Sequence, residues 1–174
     1  MKTHILILIN LLSVILLIDF INKDNQNTVI NKVQGASFNK KSINENESYI
    51  TINDKKYNLS ADPCILQTND NLNILTFKAV NNDIDYSLTV NLGAFNGNVN
   101  TGNYIYSNGE NQVNFVVITF VTEKGTFVNG PNSVVAYTKN GNKGHVSATN
   151  MSLIDSYETL PNITISFNIY CSME

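Results

Sequence analysis

The stretch that decides the fold is Asn162 to Cys171, NITISFNIYC, near the end of the chain. Every second residue is apolar: Ile163, Ile165, Phe167, Ile169 and Cys171. The residues between them include Asn, Thr and Ser, and such alternation is typical of a half-buried β-strand. The stretch therefore predicts a strand with one buried face, and it places Cys171 on that face.

Other short strands are expected upstream, separated by turns rich in Asn, Gly and Asp. Tyr86 to Leu92 alternates in the same way, and Val113 to Val121 is apolar on both faces, which is typical of a central strand. Ser48 to Ile52 and Lys55 to Leu59 flank Asn53-Asp54 and predict a tight hairpin. Further strands are predicted at residues 64–66, 72–80, 104–106, 133–138 and 144–149.

No segment after residue 48 has clear helical periodicity, although residues 151–160 could form a loop or one helical turn. The pattern predicts an all-β fold over residues 48–174. We expect a single antiparallel β-sandwich of immunoglobulin-like or similar type.

The N-terminus carries an apolar run, ILILINLLSVILLI, from Ile5 to Ile18, preceded by Lys2. A basic start and an apolar core of about 14 residues are typical of a secretory signal, whereas a spanning helix needs about 20 residues. A buried core helix would show a polar face, and this run contains only Asn10 and Ser13 as polar residues.

No small-x-small cleavage site follows the run, so cleavage of the leader and its retention as a membrane anchor through residues 5–21 both stay open. We predict that residues 1–22 are a signal peptide or signal anchor. Residues 23–47, which are rich in Asn and Lys, are predicted to be a polar linker. The protein is therefore expected outside the cell or at the cell envelope.

The charged residues argue against nucleic acid as a partner. The net charge is −3, and all eleven basic residues are lysines. Proteins that read bases or clamp phosphates favour Arg for its bidentate geometry. Abundant Asn, Ile and Lys without Arg or Trp is also typical of an AT-rich coding sequence.

The chain has two cysteines: Cys64 begins a predicted strand, and Cys171 ends the last one. In an exported chain, two cysteines in one sandwich most simply form a disulfide. Two free buried thiols and a redox pair are the alternatives, although a redox pair usually has C-x-x-C spacing.

No catalytic, cofactor-binding or metal-binding residues are predicted. His145 is the one histidine of the predicted domain, it falls on the polar face of its strand, and no G-x-S-x-G surrounds a serine. Asn81 to Asp85 resembles the front of a calcium loop but lacks its later Gly and Glu, so we interpret it as a polar entry to a strand.

The acidic residues are scattered, so no carboxylate pair for glycoside hydrolysis is assigned among Asp83, Asp85, Glu110, Glu123, Asp155 and Glu158. Tyr104 and Tyr106, beside Asn103 and Asn108, are the candidate for a small aromatic binding surface.

Five features in this order carry a resemblance to a known family. They are the hairpin Ile50 to Tyr57, a cysteine followed by a strand with Asn73 and Ile74, Gly93-Ala94-Phe95-Asn96-Gly97, Gly144-His145-Val146-Ser147-Ala148-Thr149, and the closing Phe167-Asn168-Ile169-Tyr170-Cys171. The layout resembles the mycobacterial 19 kDa lipoprotein antigen family, although no lipobox cysteine precedes the domain. The resemblance implies a small disulfide-closed sandwich at a cell surface, without catalytic residues.

We therefore expect a non-enzymatic protein that is exported or anchored to the envelope. Its role would be surface display, adhesion or the binding of a protein or glycan. A secreted hydrolase or effector that uses carboxylates is one alternative. A structural subunit that assembles by strand addition is the other.

Overall fold

The computed structural model describes residues 47–106 and 113–173. The predicted leader and all of the predicted linker except Glu47 lie outside the described residues. The described chain is all-β, as predicted. In these ranges no helix is long and apolar enough to cross a membrane.

The described residues form twelve strands. They are β1 (Tyr49–Ile52), β2 (Lys55–Asn58), β3 (Ser60–Ala61), β4 (Ile65–Asn69), β5 (Leu72–Asn81), β6 (Tyr86–Phe95), β7 (Gly102–Tyr106), β8 (Asn114–Thr122), β9 (Gly125–Asn129), β10 (Val134–Asn140), β11 (Lys143–Asp155) and β12 (Ile163–Ser172).

The strands form one hydrogen-bonded path in the order β2-β1-β12-β11-β10-β7-β8-β6-β5-β3. Neighbouring strands on the path are antiparallel, apart from β7 and β8, which are parallel. In addition, β4 pairs with β5, and β9 pairs with both β8 and β11.

The path folds over a shared core and so forms two layers. The first layer contains β2, β1, β12, β11, β10 and β7, and the second contains β8, β6, β5, β4 and β3. Side chains of both layers meet between them: the rings of Phe77 on β5 and Tyr137 on β10 are 5.8 Å apart in an edge-to-face contact. The predicted antiparallel sandwich is thus confirmed. An immunoglobulin domain has two separate sheets, whereas here one path runs through both layers.

The strand pattern read from the sequence explains the core. Ile165, Phe167, Ile169 and Cys171 on β12 are buried, as the alternation predicts. At the β1–β2 turn, Asn53 and Asp54 both have positive φ, which suits a two-residue hairpin turn.

Residues 151–155 continue strand β11, whereas residues 156–160 form a loop without a helical turn. The register with β12 shifts between Ala148 and Met151, and Asn150 lies there with positive φ. The Asn150 N–H donates to the Ser166 hydroxyl oxygen at 2.9 Å. This bulge lets β11 bend and run on to Asp155.

The two layers are joined on both sides. On one side β9 lies between β8 and β11, with Phe127 opposite both Phe120 and Asp155. On the other side a disulfide joins Cys64 to Cys171, with their Cα atoms 5.6 Å apart. The predicted disulfide is confirmed. It ties the residue before β4 to the last strand.

Candidate binding surface on the outer face of the first layer

The predicted tyrosine surface is wrong for Tyr104. The alternation along β7 turns Tyr104 inward and Ile105 outward, so Tyr104 is 1% exposed and Ile105 is 43% exposed. The Tyr104 hydroxyl donates to the carbonyl oxygen of Asn100 at 2.8 Å. Desolvation by burial raises the pKa of Tyr104 despite this hydrogen bond. Tyr106 is half-buried, so the two residues do not form an exposed pair.

A different set of side chains comes together on the outer face of the first layer. Each projects from an outward position of β2, β1, β12, β11 or β10. We name this set the outer polar strip; its members are Lys56, Tyr49, Asn168, Tyr170, His145 and Thr138.

Strand register positions these residues. Tyr49 lies opposite Asn168 in the β1–β12 pair. His145 lies opposite Tyr170 of β12 on one side and opposite Thr138 of β10 on the other. Residues directly opposite each other in an antiparallel pair project on the same face, so their side chains can interact.

In the first part of the strip, Tyr49 contacts the ammonium group of Lys56 and the amide of Asn168. The Lys56 ammonium lies 4.1 Å from the centroid of the Tyr49 ring, within cation–π range. The Asn168 amide nitrogen donates to the Tyr49 hydroxyl oxygen at 2.6 Å. Because this oxygen accepts, the hydroxyl proton points elsewhere and can be donated to a bound molecule.

The second part of the strip is centred on His145. The Oδ1 atom of Asn168 lies 2.9 Å from Nε2 of His145. Because the Asn168 amide nitrogen is directed to Tyr49, this oxygen must accept, and His145 Nε2 carries the donated proton. The Thr138 hydroxyl lies 3.4 Å from the other ring nitrogen, Nδ1.

The His145 ring is also held by stacking on the Tyr170 ring. Its ring lies parallel to that of Tyr170, with centroids 4.1 Å apart and an interplanar angle of 7°. The backbone N–H of Tyr170 donates in turn to the Ser48 hydroxyl oxygen at 2.9 Å. His145 thus lies on the polar face, as predicted, and its ring orientation is set by three neighbours.

The strip offers several kinds of polar and aromatic group. It contains an ammonium group, a phenol, an amide, an imidazole and a hydroxyl, held in a flat array of half-buried and exposed side chains. The hydroxyl beside His145 is 3.4 Å away, longer than the hydrogen bond that a nucleophile and its base make. The array can donate hydrogen bonds and offer ring faces to a ligand.

The sequence contained part of this signal. The polar faces of the strands around His145 and Tyr170 were readable from alternation. What alternation cannot supply is register, which decides that Tyr49 lies beside Asn168 and that His145 stacks on Tyr170.

The acidic residues have other roles. The Asp155 carboxylate accepts hydrogen bonds from the Thr159 and Leu160 N–H groups and the Thr159 hydroxyl at 2.7, 2.9 and 2.9 Å. Desolvation by burial pushes the pKa of Asp155 upward, but these hydrogen bonds outweigh it and the pKa lies below its ordinary value. Asp155 therefore closes the loop after β11 as a carboxylate.

The sequence resembling a calcium loop forms the β5–β6 turn. The Asn81 amide donates to the Asn58 carbonyl at 2.8 Å and accepts from the Asp83 N–H at 3.0 Å. Among the described residues, no group of three or more His, Cys, Asp or Glu side chains is placed to hold a metal ion. Glu110 and Asn108 lie outside the described residues.

Compared with models of protein families, with curated proteins and with solved structures, the chain matches none. The resemblance to the mycobacterial 19 kDa lipoprotein antigen family stays a prediction.

Proposed function

We propose that this protein is an exported, non-enzymatic β-sandwich that binds a protein or glycan partner through the outer polar strip, in surface display or adhesion. The observation that carries the proposal is the continuous contact series Lys56–Tyr49–Asn168–His145–Tyr170 across the outer face. These side chains lie outside the core, so burial between the layers does not account for their arrangement.

Fixed side chains favour binding for an entropic reason. Ordering a side chain on association costs about 0.5–1.5 kcal/mol, and groups that are already held avoid much of that cost. Tyrosine also supplies a large contact area with only two side-chain torsions to restrict. A strip with two tyrosines, a fixed amide and a fixed imidazole is therefore suited to recognition.

The disulfide supports the exported location. Disulfides persist in oxidising compartments and are rare in reducing ones. The Cys64–Cys171 bond agrees with the apolar leader and with a domain outside the cytoplasm, either released or anchored through residues 5–21.

Binding is tested with the full-length oxidised protein on an array of glycans and extracellular proteins. Asn168→Ala removes the amide between Tyr49 and His145. Asn91→Ala is the matched control, because Asn91 is a half-buried amide that accepts a hydrogen bond from Thr76 at 2.8 Å on the second layer. We expect wild type and Asn91→Ala to share partners that Asn168→Ala loses. Equal binding by all three proteins, or no binding by wild type, contradicts the proposal.

Export is tested by the intact mass of the native protein, with and without reduction and alkylation. A protein in the membrane or secreted fraction whose two thiols react only after reduction supports export. Two thiols that react without reduction would place the domain in a reducing compartment. The mass also distinguishes a cleaved leader from a retained anchor.

Strand addition is a second candidate, and β4 favours it. On the described chain β4 pairs with β5 along one edge, and its residues Ile65 and Leu66 are 55% and 51% exposed. The opposite end of the path, β2, instead carries Lys55 and Lys56, which discourage edge pairing. Concentration-dependent assembly that Leu66→Lys abolishes would support this role, and a monomer at all concentrations would contradict it.

The hydrolase alternative stays a prediction. Asp155, the buried carboxylate of the described chain, is engaged by its own loop.

A further inference from the structure

Charge is distributed unevenly between the strands and the loops. The chain carries a net charge of −3. Yet the strands β2, β1, β12, β11 and β10 contain four lysines and a single carboxylate, Asp155, which is hydrogen-bonded within its loop. Outside these strands, Glu47 and Asp54 lie beyond the two ends of β1. The five strands that carry the outer polar strip therefore hold three more lysines than carboxylates.

Strand register places two of these lysines at opposite ends of the strip. Lys56 lies opposite Thr51, which is two residues beyond Tyr49 on the same face. Lys143 is two residues before His145, also on that face. Both lysines are exposed.

Together with the adjoining Lys143, the strip consequently crosses the sheet as a diagonal of four rows. The rows contain Lys56, then Tyr49 with Asn168, then His145 with Tyr170, then Lys143. Two residues of an antiparallel strand span about 6.8 Å and neighbouring strands are about 4.8 Å apart, so Lys56 and Lys143 are separated by about 20 Å along the strands and about 14 Å across them. This length suits an extended chain rather than a single small molecule.

The hydrogen-bonding groups along the diagonal are mainly donors. Lys ammonium groups donate only, and the Tyr49 hydroxyl can donate its proton, whereas the Nε2–H of His145 is already donated to Asn168. Carboxylate acceptors, which would suit the many hydroxyl donors of a neutral sugar, are missing from the outer positions of these five strands. The complementary ligand is rich in acceptors and negatively charged.

Other anionic macromolecules fit this surface less well. Nucleic acids and phosphate-rich surfaces favour the bidentate fork of Arg, and the chain has none. A membrane surface favours exposed apolar side chains beside the lysines, but the outer polar strip presents aromatic and polar groups in that place. A flat array of tyrosine rings and fixed donors is suited to sugar rings.

We propose that the outer polar strip binds an extended acidic glycan, with its carboxylates paired to Lys56 and Lys143 and its sugar rings on those parts of the Tyr49 and Tyr170 rings that Lys56 and His145 leave uncovered. This inference rests on the proposed function, since it names the ligand class of the same surface.

The test measures binding of full-length oxidised protein to oligosaccharides of polygalacturonate, alginate and hyaluronan by calorimetry. Each probe is compared with its carboxyl-methyl ester, which keeps the sugars and removes the charge. The variants are Lys56→Gln and Lys143→Gln, with Lys78→Gln as a matched control on an exposed outward position of β5 in the second layer.

We expect at least one acidic probe to bind, with affinity at least tenfold lower after esterification or after either strip substitution and unchanged in Lys78→Gln. Failure of all three probes overturns the inference, as does equal binding of acid and ester. Equal affinity for a DNA oligonucleotide or for phosphatidylglycerol vesicles also overturns it, because general anion attraction would then be the cause.

The outcome separates this inference from the proposed function. If neutral glycans or proteins bind and Asn168→Ala abolishes that binding, the acidic-glycan inference fails while the proposed function stands. If no partner depends on Asn168, both fail.

Discussion

Two buried tyrosines, Tyr104 and Tyr137, differ in a single hydrogen bond. Their ring centroids are 6.3 Å apart, and each is 1% exposed. The Tyr104 hydroxyl donates to Asn100, whereas the buried Tyr137 hydroxyl has no hydrogen-bond partner among the described residues. A buried polar atom without a partner costs about 1–3 kcal/mol of folding free energy. Substituting each tyrosine by Phe therefore compares, within one core, the loss of a hydroxyl that is hydrogen-bonded with the loss of one that is not.

We expect Tyr104→Phe to lower the free energy of unfolding by about 1 kcal/mol, because it removes a made hydrogen bond. Tyr137→Phe should leave it unchanged or raise it, because it removes an unsatisfied hydroxyl. Urea denaturation of both variants, compared at constant m-value, gives the answer. If the two variants lose equal stability, the Tyr137 hydroxyl has a partner and the interpretation is wrong.

Asp155 links stability to acid pH. Its pKa is lowered in the folded protein because the hydrogen bonds from Thr159 and Leu160 outweigh the desolvation. A carboxyl group with a depressed folded pKa stabilises the fold above its unfolded pKa of about 3.9, and that stabilisation is lost as the pH falls through the folded pKa.

The melting temperature of wild type should therefore fall more steeply below about pH 4 than that of Asp155→Asn. At pH 7 the variant should be less stable, and the two curves should converge in acid. Thermal melts between about pH 2 and pH 7 test this prediction. Parallel curves would show that Asp155 is not a source of the acid dependence.

Strand β9 lies between β8 and β11 and so joins the two layers. Part of its bonding to β8 is made by the Asn129 side chain instead of by the backbone. Asn129 is buried at the end of β9, one residue beyond Val128, which makes the last backbone pair with β8. Its Oδ1 accepts from the Ile118 N–H at 2.8 Å and its amide nitrogen donates to the Val116 carbonyl at 3.1 Å. The amide thus continues the hydrogen bonding of β8 beyond the last backbone pair.

Asn129→Ala should lower the free energy of unfolding by about 2–4 kcal/mol, because it leaves a buried N–H and a buried carbonyl unpaired. Asn91→Ala, which removes one hydrogen bond on the half-buried outer face, should cost about 1 kcal/mol or less. Chemical denaturation of both variants provides the comparison. Equal losses in the two variants would show that the two Asn129 hydrogen bonds to β8 add no more stability than the single hydrogen bond of Asn91.

The strands also show which features the sequence determines. Alternation along β12 correctly predicted the buried face, including Cys171, because period-two burial is a local property. It did not assign the faces of β7, which is too short, and so the amphipathic Tyr104 was expected on the surface. It also left β11 undefined after Ala148, because the bulge breaks the period there.

The outer polar strip depends on pairings that lie far apart in sequence. Tyr49 and Asn168 are separated by 119 residues, and their contact follows from the β1–β12 register. The polar faces around His145 and Asn168 were readable from alternation, but the meeting of the strip residues on one surface is a tertiary property. The surface predicted from the sequence therefore included Tyr104, which the structure buries.

The sandwich formed by residues 47–106 and 113–173 is cross-linked by the disulfide, which joins the residue before β4 to β12. Cys64 and Cys171 are 107 residues apart. In the chain-entropy treatment, closing a loop of that length stabilises the folded state by about 4–5 kcal/mol, which is comparable with the total stability of a small domain.

The double variant Cys64→Ser, Cys171→Ser should lose about 4–5 kcal/mol of unfolding free energy relative to the oxidised protein, less any strain relieved. Reduced wild type should behave like the variant. Denaturation by urea under oxidising and reducing conditions tests both statements. If the variant is as stable as oxidised wild type, the disulfide does not stabilise the fold.

The most direct test of the outer polar strip as the binding surface is an amide NMR titration of full-length oxidised protein with the partner that binds best on the array. We expect the resonances of Tyr49, Asn168, His145 and Tyr170 to shift with ligand, while those of Thr76 and Asn91 on the second layer stay in place. Shifts confined to the second layer or to β4 would show that the protein binds elsewhere.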